Sequence, residues 1–282
     1  MSHSEANSDK RQLTLIDCLG IGINGIVGSG IFLLPAVLYR KAGSQAPWAW
    51  FVAGGLCCLV ALVFAEAAGR TDRSGGPYRY ACDAFGPYVG FAVGWVTLIS
   101  VLLGYSAVAR GFGTTAAQIC HDMFGVQLGN AGVVALSCVV VVVLSIVNIL
   151  GVRSSARTSD IISAVKLLSL FGFIVVGLCF VKFDRMGGQP PMPSTGETTG
   201  ILAAAFAGLF ATTGFEFIPV PAGEAKNPQR TVPLAMVISV FLTTVLYALV
   251  QLVATGLHPS LGGTETPLAD SVAQFAGSRG RE

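Results

Sequence analysis

Charge is what this sequence has least of. Charged residues make up 11% of its 282 residues, against 53% hydrophobic ones, and the mean hydropathy is +0.70. An ordinary soluble domain carries about 25% charged residues, so the composition excludes that class and points to a polytopic membrane protein. The net charge of +2 says little by itself, and the sequence shows no nucleic-acid-binding patch. Histidine is scarce too, and His3, His121 and His258 fall in tails or loops with no partner pattern. No Ser/His/Asp set and no phosphate-binding P-loop are present. The seven cysteines, Cys18, Cys57, Cys58, Cys82, Cys120, Cys138 and Cys179, are odd in number and lack zinc-ligand or C-x-x-C spacing. Most lie in apolar runs, where a free thiol acts as a small hydrophobe. Neither disulfides nor a metal is expected, and no cofactor is implied. No cleavable signal peptide is expected: the polar tail 1–12 leads into an apolar run too long for a signal core, and further runs follow.

What is there is a series of apolar segments, at Leu15–Leu38, Trp48–Ala68, Tyr88–Ala109, Ala131–Gly151, Ile161–Val181, Gly200–Val220 and Val232–Leu257. Each is close to the 20 or so residues a tilted spanning helix needs. Polar Gly/Pro-bearing loops such as Asp72–Gly76 and Asp184–Gly196 separate them. The reading is an all-α membrane protein with about seven transmembrane helices. With a cytoplasmic N-terminus, Lys10, Arg11, Arg70, Arg73, Arg79, Arg153, Arg157, Lys226 and Arg230 fall inside. Only Arg40, Lys41, Arg110, Lys182 and Arg185 fall outside, and that bias sets the orientation. Gly111–Asn130 reads as an outside segment without Lys or Arg. After Leu257, an amphipathic segment is expected from Pro267.

The first run is a poor helix in its middle. Asn24-Gly25-Ile26-Val27-Gly28-Ser29-Gly30 packs three glycines, an asparagine and a serine into two turns. Each glycine weakens a helix by roughly 1 kcal/mol relative to alanine. In a bilayer a broken backbone is tolerated only where protein buries it or it lines a wet cavity, so such a segment marks a binding site near the midplane. Gly20, Gly22 and Gly25 match G-x-G-x-x-G, but the strand, amphipathic helix and downstream acid of a dinucleotide fold are missing; close helix packing through small residues is the better account of Gly20 and Gly22. A helix restarting after a break presents free N–H groups and the positive end of its dipole. Gly28, Ser29 and Gly30 would let a carboxylate approach there, and free carbonyls from Ile23 to Ile26 could accept from an ammonium.

The sixth run has a second candidate break, Phe210-Ala-Thr-Thr213-Gly214-Phe-Glu216. A carboxylate inside a span is costly and a functional candidate by default, which singles out Glu216. Lys166 is the other intramembrane charge, read as facing the bundle core rather than snorkelling. Glu66 and Arg70 read as a helix-end ion pair. Trp48, Trp50 and Trp95 read as interface or packing aromatics.

The motifs together resemble the amino acid–polyamine–organocation (APC) transporters. Gly25-Ile-Val-Gly28-Ser29-Gly30-Ile-Phe-Leu-Leu-Pro35 is similar to that family's first-helix motif. Ser74-Gly-Gly-Pro77-Tyr-Arg-Tyr80 with Phe85-Gly-Pro87 resembles its second-to-third helix connection, although Arg73 stands where the family often has proline. Asn148-Ile-Leu-Gly-Val-Arg153 resembles the end of its fourth helix. Gly214-Phe-Glu216 and Gly223-Glu-Ala-Lys-Asn-Pro228 with Arg230 and Pro233 resemble its sixth-helix signature and the loop after it. The similarity covers Leu13 to Phe275, with the motifs in family order.

The resemblance implies a LeuT-type inverted-repeat transporter fold with helices 1 and 6 broken. A cytoplasmic tail, 1–12, would precede a transmembrane permease domain, 13–282, holding the first five-helix repeat and the start of the second. Such a domain would be C-terminally truncated relative to the family's twelve or so helices. An amino acid substrate would place its carboxylate on Gly28, Ser29 and Gly30, and its ammonium on carbonyls near Ile23, Ile26, Phe210 and Thr213, beside Gly214. Lys166 matches a fifth-helix lysine that supports proton coupling in some relatives, and Phe210 matches an aromatic gate. The expected function is secondary active transport of amino acids by alternating access, coupled to protons, in the plasma (inner) membrane. The partners are amino acid, protons and the lipid bilayer, and a homodimer is left open. The alternatives are an amino acid/amine antiporter and, from another class, a non-transporting fragment or membrane scaffold. An enzyme is disfavoured, because no paired acids or histidines share a depth.

Overall fold

The computed structural model describes residues 13–71, 73–149, 152–181, 199–258, 260–264 and 266–279. Among them the regular structure is helical: α1 (Leu15–Ile26), α2 (Gly30–Ala42), α3 (Ala46–Gly69), α4 (Gly76–Phe85), α5 (Pro87–Phe124), α6 (Asn130–Ile149), α7 (Val152–Leu178), α8 (Ile201–Thr212), α9 (Pro228–Leu257) and α10 (Pro267–Arg279). Among the described residues, five helical stretches are long and apolar enough to cross a membrane: Gly30–Gly69, Pro87–His121, Asn130–Val147, Ile161–Leu178 and Pro228–Leu257. Leu15–Ile26 and Ile201–Phe217 are apolar but shorter. Lys10, Arg11, Lys182, Arg185 and the loop Asp184–Gly196 lie outside the described residues, as do the side chains of Arg153 and Arg157.

Local chemistry sets the helix ends. Thr14 caps α1 in a capping box: its hydroxyl accepts the Asp17 N–H, and Asp17 Oδ2 accepts the Thr14 N–H at 2.7 Å, which satisfies two end donors reciprocally. Proline opens α3, α4 and α9 near their first turns, where its missing N–H costs nothing. Several expected boundaries shift. The segment Gly111–Asn130, expected as a loop, is helical to Phe124 because it holds no proline and little charge, and Thr114 and Thr115 bond their hydroxyls back to Gly111 O. The helix expected from Ile161 already begins at Val152. The sixth run ends its α-helix at Thr212 and continues only as single 3₁₀ turns at Phe215–Phe217 and Ala222–Glu224. Pro219 and Pro221 supply no backbone donor to carry a helix through that stretch.

The chain forms two compact units. The first comprises residues 1–86 and 168–282, and α9 is its centre. Val232, Ala235, Met236, Val240, Tyr247, Val250, Val253 and Ala254 of α9 are all buried, packed chiefly against α3 and α1, while α8 crosses α2 and α3. Small residues allow close approach, as in membrane helix pairs generally. Gly208 of α8 lies over the Trp50 ring of α3, where an added Cβ would sit 3.3 Å from the indole. The second unit, residues 87–167, is the helical hairpin of α5 and α6 with the start of α7. Gly125, at φ +68°, donates to the His121 carbonyl at 2.8 Å and closes α5. Across the hairpin Arg110 donates to Asn130 Oδ1 at 2.9 Å.

Candidate functional site

Helix α1 stops at Ile26 and α2 starts at Gly30, so Val27, Gly28 and Ser29 form a non-helical link within one apolar run. Its turn is closed tightly: the Val27 N–H donates to Ile23 O and the Gly28 N–H to Ile26 O, both at 2.8 Å. The link presents the start of a 13-residue helix, α2. Helix α8 likewise stops at Thr212, leaving Thr213 extended and Gly214 at φ +122° before the 3₁₀ turn.

The first unit brings these two links together. A Cβ added at Gly214 would stand 2.5 Å from Gly25 O and 2.9 Å from Ile26 N. One added at Gly25 would stand 3.1 Å from Gly214 O, and one at Gly30 would meet Ala211 Cβ at 2.7 Å. Backbone therefore lies against backbone, an approach that only glycine permits at Gly214. Ile23, Ile26, Gly28, Ser29, Gly30, Phe210, Thr213, Gly214 and Glu216 all fall in this unit. Gly28 and Thr213 are exposed, Ser29 and Gly30 are half-buried and Ile26 is buried.

Most of the expected acceptors already serve internal donors. Ile23 O takes the Val27 N–H, and Phe210 O takes the Thr213 hydroxyl at 2.7 Å. The Phe210 ring is exposed, at 63% of its surface. Glu216 reaches back to its own link, where Oε2 accepts the Gly214 N–H at 2.7 Å. Its carboxylate thus steadies the strained glycine as a side-chain cap does a helix start. Lys166 is half-buried on α7 and belongs to the second unit, so its expected place beside the links rests on the resemblance alone. The Glu66–Arg70 pair forms as expected, with both side chains largely exposed. Trp50 is fully buried, whereas Trp48 and Trp95 are 64% and 56% exposed.

Sequence reasoning missed the contribution of α9. Tyr247 donates from its hydroxyl to Ile26 O at 2.9 Å, and Gln251, one turn on, donates from Nε2 to Pro35 O at 3.2 Å. The two side chains thus bond carbonyls on either side of the first link. Trp50 joins them: its ring meets Tyr247 edge-on at 4.9 Å, and its Nε1 donates to Gln251 Oε1 at 3.2 Å. From α3, Cys57 donates to Thr212 O, the last carbonyl of α8. The signal was present as Ser239, Thr243, Tyr247, Gln251 and Thr255, polar residues four apart in an apolar span. That spacing places them on one helix face, and a polar face in a span turns to the protein interior.

Comparison with known proteins returns one family. The amino acid permease profile matches residues 13–278. A vacuolar cationic amino acid transporter 4 of Arabidopsis thaliana is 28% identical, over 94% of this chain and 47% of its own length. A methylthioribose transporter of Bacillus subtilis is 29% identical, over 92% of this chain and 58% of its own length. The branched-chain amino acid permease BcaP of the same bacterium is 29% identical, over 97% and 61%. The chain thus spans about half to three-fifths of the length of these relatives.

Proposed function

The chain belongs to the amino acid permease family, a family of transporters, and from that premise we propose that it carries amino acids across a membrane by alternating access. It is an integral membrane protein, which its long apolar helices and its family both support. The observation that carries the proposal is the backbone contact of the two links at Gly25 and Gly214. Two interrupted helices meeting at one point offer helix-start N–H groups and helix-end carbonyls together, the two partners a zwitterion needs. In the LeuT-type arrangement that this supports, Gly28, Ser29 and Gly30 receive the carboxylate. The carbonyls of Ile23, Ile26, Phe210 and Thr213 receive the ammonium, with Gly214 at the crossing. Lys166 and Glu216 are the titratable groups through which proton coupling would act. The distribution of Lys and Arg supports a cytoplasmic N-terminus, and the plasma membrane is the proposed location.

The test is uptake into proteoliposomes from a mixture of the twenty tritiated L-amino acids, with and without an inward proton gradient. Gradient-driven accumulation is expected. Exchange against internal amino acid without any gradient dependence would instead favour the antiport reading. Absence of both uptake and binding would sink the transport reading and leave a membrane scaffold. Ser29→Leu, which fills the link, is expected to abolish uptake, and Lys166→Ala to abolish its response to the gradient.

A further inference from the structure

The carbonyl of Ile26 is unusual among the acceptors at the first link. A carbonyl oxygen has two lone pairs. Here one receives the Gly28 N–H at 2.8 Å and the other the Tyr247 hydroxyl at 2.9 Å. Ile23 O and Phe210 O each have one donor described at the links, from Val27 and Thr213. The Ile26 carbonyl therefore has no acceptor capacity left for a third donor. Its Tyr247 partner is fully buried, and the phenol ring is held by Trp50, itself locked to Gln251. The ring cannot withdraw, but the proton can turn away by rotation about the Cζ–Oη bond.

Resting on the reading of the links as an amino acid site, we propose that the Tyr247 hydroxyl is a built-in stand-in for the substrate's ammonium group. It donates to the Ile26 carbonyl in this conformation and must release it before an amine can take its place. Binding an amine then carries the cost of leaving a buried hydroxyl to find another partner, and such a group left unmatched is expensive. Tyr247 thereby sets affinity for the amine end of the substrate specifically. The phenol oxygen also lies beside the Gly28 N–H, which already donates to Ile26 O, so the carboxylate contacts that Tyr247 leaves alone are those at Ser29 and Gly30, with which it makes no described hydrogen bond. A mere strut between α9 and α1 would weaken or spare every ligand alike.

The experiment uses the intact chain in nanodiscs. The twenty L-amino acids are screened by thermal shift, and the strongest binder is compared by calorimetry with the 2-hydroxy acid that carries the same side chain. If no amino acid binds the unaltered protein, the amino acid site itself is refuted and this inference falls with it. If one binds, Tyr247→Phe is expected to tighten it about tenfold, equivalent to about 1.4 kcal/mol at 25 °C, while the 2-hydroxy acid shifts by less than about twofold. Unchanged or weaker amino acid binding overturns the proposal, and so does an equal shift of both ligands. A second measurement needs no destabilising change: 3-fluorotyrosine placed at position 247 is expected to shift its fluorine resonance on adding the amino acid and not on adding the hydroxy acid. Identical responses to the two ligands would equally overturn it.

Discussion

Gly214→Ala is the sharpest single perturbation of the crossing between the two links. Gly214 sits at φ +122°, a conformation that side-chain-bearing residues rarely adopt. Holding alanine there costs on the order of 1–3 kcal/mol. The new methyl carbon would also stand 2.5 Å from Gly25 O, 2.6 Å from Gly25 C and 2.9 Å from Ile26 N. These are backbone atoms of the opposite link, and they cannot rotate aside as a flexible side-chain tip would. Overpacking of this kind adds about 1–3 kcal/mol. The combined cost, about 2–6 kcal/mol, is met by pushing the links apart, which separates the N–H and carbonyl groups that a substrate must bridge. A loss of at least 2 kcal/mol corresponds to roughly 30-fold or more in affinity. The assay is a scintillation-proximity binding isotherm beside a melting curve in the same detergent. Gly20→Ala is the control, since a Cβ there meets nothing within 4 Å and alanine favours the helix by about 1 kcal/mol. Gly20→Ala is expected to melt at or above the parent temperature with binding intact. Wild-type affinity and melting in Gly214→Ala would refute the close crossing of the links and, with it, the site built on that crossing.

Other consequences follow from the α9 interface and the segment before α1. Trp50→Phe removes the donor to Gln251 and leaves a buried amide oxygen unmatched, so melting is expected to fall by the equivalent of about 1–3 kcal/mol; adding Gln251→Leu should recover part of that loss in a double-mutant cycle. Ser239 Oγ is buried with no hydrogen-bond partner among the described residues and lies where a Cβ on Gly22 would project. Ser239→Ala is therefore expected to be neutral or stabilising, and to relieve part of the loss caused by Gly22→Ala; an additive pair would contradict that contact. Leu13 exchanges backbone hydrogen bonds with Glu224 O, at 3.0 Å, and the Lys226 N–H, at 2.8 Å. Leu13→Pro removes the first of these, and hydrogen exchange measured by mass spectrometry should rise around Ala225 while the centre of α9 stays protected.

Much of the helical content was legible in the chain because it depends on local composition. Apolar runs of spanning length predict α3, α6 and α9 to within a few residues. The glycine-rich stretch predicts an interruption, and the chain leaves the helix at Val27–Ser29 within that stretch. Glu66 and Arg70, four apart on one helix, were paired correctly because that contact is set by helix geometry alone. Helix ends were less legible. The continuation of α5 to Phe124 and the passage of the sixth run into 3₁₀ turns after Gly214 depend on small balances of propensity and proline placement that hydropathy does not register.

The candidate site divides along the same line. Its backbone features, glycines and a serine in an apolar run, are determined by the sequence, since a segment so poor in helix propensity stands out against its neighbours. Its partners are decided by tertiary structure. Nothing local pairs Gly25 with Gly214, or Tyr247 with a carbonyl 221 residues away. Hydrophobic periodicity tells which face of a helix is buried, not which backbone group that face will meet. The assignment of the Ile26 carbonyl to Tyr247 rather than to a free acceptor site came only once α9 was packed against α1. There the cost of burying an unmatched phenol in a dry interior leaves that carbonyl as its hydrogen-bonding partner.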